Sequence, residues 1–145
     1  MFKIELCFLV LLTDTDQQVI LETIKTMGDI PLMPGSHFKV IDNFLNKKDF
    51  KKIQERLLAK DFPWYYTPNI TFVDESKTDK YYFSFKHKSA IFYINNNDGY
   101  TILNNGKTKI ESIANRILFF DSTKNHSSTH CTNDHARVNI NINYF

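Results

Sequence analysis

Apolar residues in this chain change their spacing several times, and each change marks a different element. The run Cys7-Phe8-Leu9-Val10-Leu11-Leu12 is continuous, and residues 3–12 are predicted to form a buried strand. From Gln17 to Met27 the apolar set Val19, Ile20, Leu21 and Ile24 takes helical spacing. Thr13-Asp14-Thr15-Asp16 offers caps for that helix. Gly28, Pro31, Pro34 and Gly35 then break the pattern, so residues 28–36 are read as a linker. The chain divides there into an N-terminal extension, 1–36, and a main domain, 37–145. Phe38 to Leu45 reads as a short strand followed by a turn. Asn46 caps a helix from Lys47 to about Lys60. Phe50, Ile53, Leu57 and Leu58 form its apolar stripe, and Lys47, Lys48, Lys51 and Lys52 its solvated face.

Beyond Tyr66 the period shortens to that of strands. Tyr81 to Lys86, Ser89 to Ile94, Tyr100 to Leu103, Lys107 to Ser112, Ile117 to Phe120 and Ala136 to Tyr144 are the candidates. Asn97-Asp98-Gly99 and Asn104-Asn105-Gly106 are hairpin turn signals. In the last run Arg137, Asn139, Asn141 and Asn143 fall on one face, and Val138, Ile140, Ile142 and Tyr144 on the other. The polar stripe either faces water or lines a cavity. The fold class is α+β: a helical N-terminal leader in front of an antiparallel β domain.

Composition narrows the function classes. A net charge of +2 lacks the concentrated basic face of a nucleic-acid binder. Cys7 and Cys131 are far apart and read as free thiols of a reducing, cytoplasmic chain. Asn69-Ile70-Thr71 and Asn125-His126-Ser127 match the glycosylation pattern, which has no meaning in a cytosol. The N-terminal apolar run is too short for a membrane span and has no small-residue cleavage site, so no membrane partner is expected.

Several segments carry a family likeness. Val40-Ile41-Asp42-Asn43-Phe44-Leu45, the helix after it, and Phe62-Pro63-Trp64-Tyr65-Tyr66 form one block. Ile91-Phe92-Tyr93-Ile94-Asn95 followed by Asp98-Gly99-Tyr100-Thr101 forms a second. Phe120-Asp121-Ser122, then His126, then Arg137 at the head of the last strand form a third. Together they resemble the Fe(II)/2-oxoglutarate-dependent oxygenases, in particular the short prolyl-4-hydroxylase-like members of phage type. The resemblance covers roughly residues 37–80 and 85–145 and implies a double-stranded β-helix, or jelly roll. It implies that His126 is a metal ligand for Fe(II), and that Arg137 pairs with the distal carboxylate of 2-oxoglutarate. A guanidinium fork suits that carboxylate. The implied reaction is hydroxylation of a C–H bond, with peptidyl proline among the candidate substrates.

The chain departs from the family at one place. The first metal histidine and the carboxylate form a His-x-Asp motif shortly before the strand at Ile91. Here Tyr82-Phe83-Ser84 stands in that position. About six strands are counted where a jelly roll has eight, so the barrel is expected to be incomplete, through an internal loss that removed His-x-Asp. His87 and Asp98 are the only nearby substitutes, and Asp98 reads as a turn former. His126, His130, Cys131 and His135 form a rival zinc set, although all four lie in one loop. The expectation is a dioxygenase-like protein with weak or no turnover. The alternative is a non-catalytic β domain that binds other molecules or pairs with a second copy through open strand edges.

Overall fold

The structure, a computed structural model, describes residues 13–26, 37–62, 88–121 and 123–144. The predicted strands at 3–12 and Tyr81–Lys86, the 28–36 linker, Cys7, Asn69, His87 and the Tyr82-Phe83-Ser84 gap lie outside the described residues. Helix α1 (Asp14–Thr26) begins where the Thr13 hydroxyl accepts from the Asp16 amide at 3.3 Å. Strand β1 (Phe38–Ile41) and helix α2 (Lys47–Leu57) follow. Asn46 caps α2 as its side chain predicts, accepting from the Asp49 amide at 3.0 Å. Phe50, Ile53 and Leu57 are buried, but Leu58 is 45% exposed. The stripe therefore stops one residue short of the reading above. Leu58 is the C-cap residue, one beyond the last helical residue.

The remaining elements are strands: β2 (Lys88–Tyr93), β3 (Asn97–Leu103), β4 (Thr108–Ser112), β5 (Arg116–Phe120), β6 (Ser127–Ser128) and β7 (Asn139–Tyr144). They make a four-stranded sheet in the order β1-β5-β2-β7 and a three-stranded sheet in the order β4-β3-β6. All described pairings are antiparallel. Among the described residues the sheets stay open and do not close into a barrel. None of the described helices is long and apolar enough to cross a membrane.

One predicted turn is correct and one is not. Asn104 to Lys107 joins β3 to β4, with Asn104, Asn105 and Gly106 at φ 53°, 54° and 88°. Asn97-Asp98-Gly99 is no hairpin turn, because β2 and β3 belong to different sheets. Residues 94–96 carry the chain between the sheets. Asn97 then pairs with Ser112 and Tyr100 with Glu111, so Asp98 and Gly99 form a bulge in β3.

Strand alternation sorts side chains into two cores. Phe92, Ile117, Phe119 and Ile140 face outward from the larger sheet and meet Ile20 and Ile24 of α1 and Phe50, Ile53 and Leu57 of α2. Phe92 takes edge-to-face contacts from Phe44 at 5.3 Å and Phe50 at 5.8 Å. The Asp16 carboxylate, buried in α1, pairs with Arg56 of α2 at 2.5 Å. Ile91, Tyr93, Leu118 and Phe120 face the other way and pack with Leu103 and Ile110 of the smaller sheet. Directly opposed residues share a face. Asn139, opposite Tyr93, and Asn141, opposite Ile91, therefore point into the space between the sheets. That part of the polar stripe is half-buried and does not face open water; the side chain of Asn143 is not described.

Candidate functional site

Arg137 enters this inter-sheet space just ahead of β7. Its Nε donates to the Ser112 hydroxyl and its Nη2 to the Thr101 hydroxyl, each at 2.8 Å. The guanidinium carbon lies 5.5 Å from the centre of the Tyr93 ring. The Tyr93 hydroxyl in turn bonds Thr101 Oγ1 at 2.6 Å. Tyr93, Thr101 and Ser112 are 0%, 1% and 2% exposed. Burial pushes the Tyr93 phenol pKa up, against the opposing pull of the Thr101 hydrogen bond and the Arg137 charge.

The chain has three arginines. Arg56 pairs with Asp16, and Arg116 meets both oxygens of Asp42 at 2.6 and 3.0 Å. That pairing lowers the Asp42 pKa and raises that of Arg116. Arg137 differs: no carboxylate among the described residues lies within ion-pair distance of it. Its Nε–Nη2 edge is used by two neutral hydroxyls, and no described residue is bonded to Nη1.

A loop between β6 and β7 delivers Arg137, and it is fixed by polar residues of the bulge region. The Asp98 carboxylate accepts from the Thr132 amide at 2.6 Å and also from the Thr132 hydroxyl. Those bonds lower the Asp98 pKa, the hydroxyl contributing most. The Asp98 amide donates to Asn133 Oδ1 at 2.9 Å. Buried Asn95 donates to Asp134 and to the Ala136 carbonyl, both at 2.8 Å, and accepts from the Val138 amide at 2.9 Å. Asp98 is thus a loop anchor in a bulge, where the sequence suggests a turn former.

His126 stands elsewhere. Its ring is exposed, rests edge-on against Phe120 at 4.9 Å, and its Nδ1 lies 2.9 Å from the Lys124 carbonyl. Phe120 and Tyr93 mark two ends of one cluster: Phe120 pairs opposite Ser89, four residues before Tyr93 on β2. At strand rise that separates the two positions by ~13 Å. His126 and Arg137 therefore border the same inter-sheet layer at opposite ends and do not touch. A hollow of about 800 Å³ opens beside the bulge, lined in part by Asn97, Gly99, Ser112 and Asn133. Neither His126 nor Arg137 lines it, although Ser112 links it to the guanidinium.

No group of three His, Cys, Asp or Glu side chains among the described residues is placed to hold a metal. His126 has no described partner ligand, and the Asp98 carboxylate is committed to Thr132 and Asn133. Of the zinc set, His130 and His135 are exposed and Cys131 leans on the Asp134 carbonyl at 3.5 Å. Tyr93, Thr101 and Ser112 were not singled out by the sequence. They are strand residues of ordinary alternation, and only strand pairing brings them around one arginine. No family model matches this chain, and no curated protein or solved structure matches it.

Proposed function

We propose that this chain is an oxygenase-type jelly-roll domain that binds 2-oxoglutarate, or a closely related keto dicarboxylate, through Arg137 and turns it over weakly or not at all. The observation that carries this reading is the guanidinium between the sheets, held by hydroxyls and without a carboxylate partner among the described residues. Desolvating a guanidinium is costly, and a bound carboxylate would offset that cost through charge-assisted bonds.

The winding supports the jelly-roll part. β2 and β3, bent at 94–96, run beside β5 and β4, bent at 113–115. β7 and β6 then lie along the other side of β2 and β3. These three pairs give six strands, with β1 outside them, and one more such bent pair beyond β7 and β6 would bring the count to the eight of a jelly roll. The described donors do not suit Fe(II), which needs two imidazoles and a carboxylate on one face. That mismatch is the ground for weak or absent turnover.

Calorimetric titration with 2-oxoglutarate tests the reading. Binding by the wild type and its loss in Arg137→Met is the expected result; no binding by the wild type overturns it. A second assay measures succinate with added Fe(II) and oxygen. Strong succinate release that vanishes in His126→Ala overturns the catalytic half of the proposal. A second reading, self-association through strand edges, draws on the open sheets: β1, β4, β6 and β7 each pair on one side only among the described residues. Light scattering that finds a monomer at high concentration removes it.

A further inference from the structure

We propose that Gly99 is a positioning residue for the Arg137 guanidinium, and that the β3 bulge exists to place it there. This inference rests on Arg137 being the carboxylate clamp. A Cβ at position 99 would lie 2.7 Å from Arg137 Cδ, 2.9 Å from Asn97 Oδ1 and 3.2 Å from the His130 carbonyl oxygen. The last two of these walls are each held by hydrogen bonds. Asn97 Oδ1 accepts from the Gly99 amide at 3.0 Å, and the Asn97 amide group bonds the Asn95 carbonyl at 3.3 Å. The backbone next to His130 is tied to β3, where the Thr129 amide donates to the Tyr100 carbonyl and the Tyr100 amide to Thr129 Oγ1, each at 3.0 Å.

The Arg137 stem is the wall met most closely, at 2.7 Å. Its next atoms are Nε and the guanidinium, bonded to Ser112 and Thr101. A methyl group at position 99 therefore displaces the stem and breaks those two bonds. The bulge sets both sides of this arrangement: Asp98 pins the loop that delivers Arg137, and Gly99 leaves the space its stem fills.

The test uses the full chain as wild type, Gly99→Ala, Arg137→Ala and the double variant. Calorimetry with 2-oxoglutarate, thermal unfolding, and the NMR resonance of the Arg137 Nε–H are read together. Gly99→Ala is expected to bind 2-oxoglutarate about ten- to a hundredfold more weakly, the effect of losing a hydrogen bond to a charged group. The Nε–H resonance moves with it. In the Arg137→Ala background, which lacks the closest of the three contacts, Gly99→Ala lowers Tm by less than it does in the wild type. Should Gly99→Ala alone fail to fold, a folded double variant is the expected rescue. Wild-type affinity in Gly99→Ala overturns the proposal and leaves the clamp standing. An equal loss of Tm in both backgrounds, or an unfolded double variant, also overturns it. Absence of 2-oxoglutarate binding by the wild type removes the clamp and this inference together.

Discussion

Asn115 ties two distant parts of the chain together. It sits at φ 64° and is 7% exposed. Its Oδ1 accepts from the Leu45 amide at 2.9 Å, and its Nδ2 donates to the Leu45 carbonyl at 2.8 Å. Its own carbonyl accepts from Phe44 at 2.9 Å, and its amide donates to Tyr93 at 3.0 Å. One side chain thus stands in for a strand between the β1–α2 connection and the bend before β5. Asn115→Ala leaves the Leu45 amide and carbonyl unpaired in the core and strains the backbone, at a cost of about 2–4 kcal/mol in urea unfolding. Asn115→Gly keeps the backbone at ease and isolates the side-chain share. Asp98 makes a different residue-scale prediction. Its folded pKa is lowered, so its contribution is full above the unfolded carboxylate pKa of about 3.9 and is lost as pH falls through the lower folded value. Urea midpoints measured from pH 5 downward should therefore fall more steeply for wild type than for Asp98→Asn.

At the scale of elements, α2 shows how far periodicity alone can be trusted. Phe50, Ile53 and Leu57 are buried as their spacing predicts, and Leu58 is not. Ile53→Ala or Leu57→Ala should cost about 2–5 kcal/mol, since each empties a fully buried site. Leu58→Ala should stay within about 0.5 kcal/mol. Equal losses at 57 and 58 would mean that the helix continues and buries both. The strands teach a related lesson. Asn104-Asn105-Gly106 was legible as a hairpin because three consecutive positive φ values need such residues. Asn97-Asp98-Gly99 has the same composition for another reason: Asp98 supplies acceptors to a distant loop and Gly99 avoids a distant side chain. Neither partner is near in sequence, so local turn chemistry could not tell a bulge from a hairpin. The place of Arg137 on the polar face ahead of an alternating strand was legible, and its role came only from the family resemblance. Its hydroxyl partners were not legible, because each belongs to a different strand and only their pairing brings them together.

The whole molecule is a helix-backed sheet facing a second, smaller sheet, and the two cores differ in kind. The helix side is mainly apolar, with the buried Asp16–Arg56 pair at its margin and Asn115 bonded to Leu45 within it. The inter-sheet side combines a small apolar cluster with Thr101, Ser112, Asn139, Asn141 and one cation. A polar layer inside a small sandwich contributes little to the stability of the empty protein. On the proposed function, a ligand bound in this layer stabilises the fold. Binding to the native state alone adds RT ln(1 + [L]/Kd), about 2.7 kcal/mol when ligand is a hundredfold above Kd. Saturating 2-oxoglutarate should therefore raise Tm of the wild type and leave Arg137→Met unmoved. Succinate, which keeps a carboxylate for the fork, should raise Tm in part. A monocarboxylate control such as acetate tests whether one carboxylate alone suffices. A metal should behave differently. If the metal site is broken as proposed, a chelator such as EDTA leaves Tm where it was, with or without 2-oxoglutarate. A chelator-dependent fall would place a metal in the native state and send the search for its ligands to residues 63–87, between α2 and β2, where His87 lies.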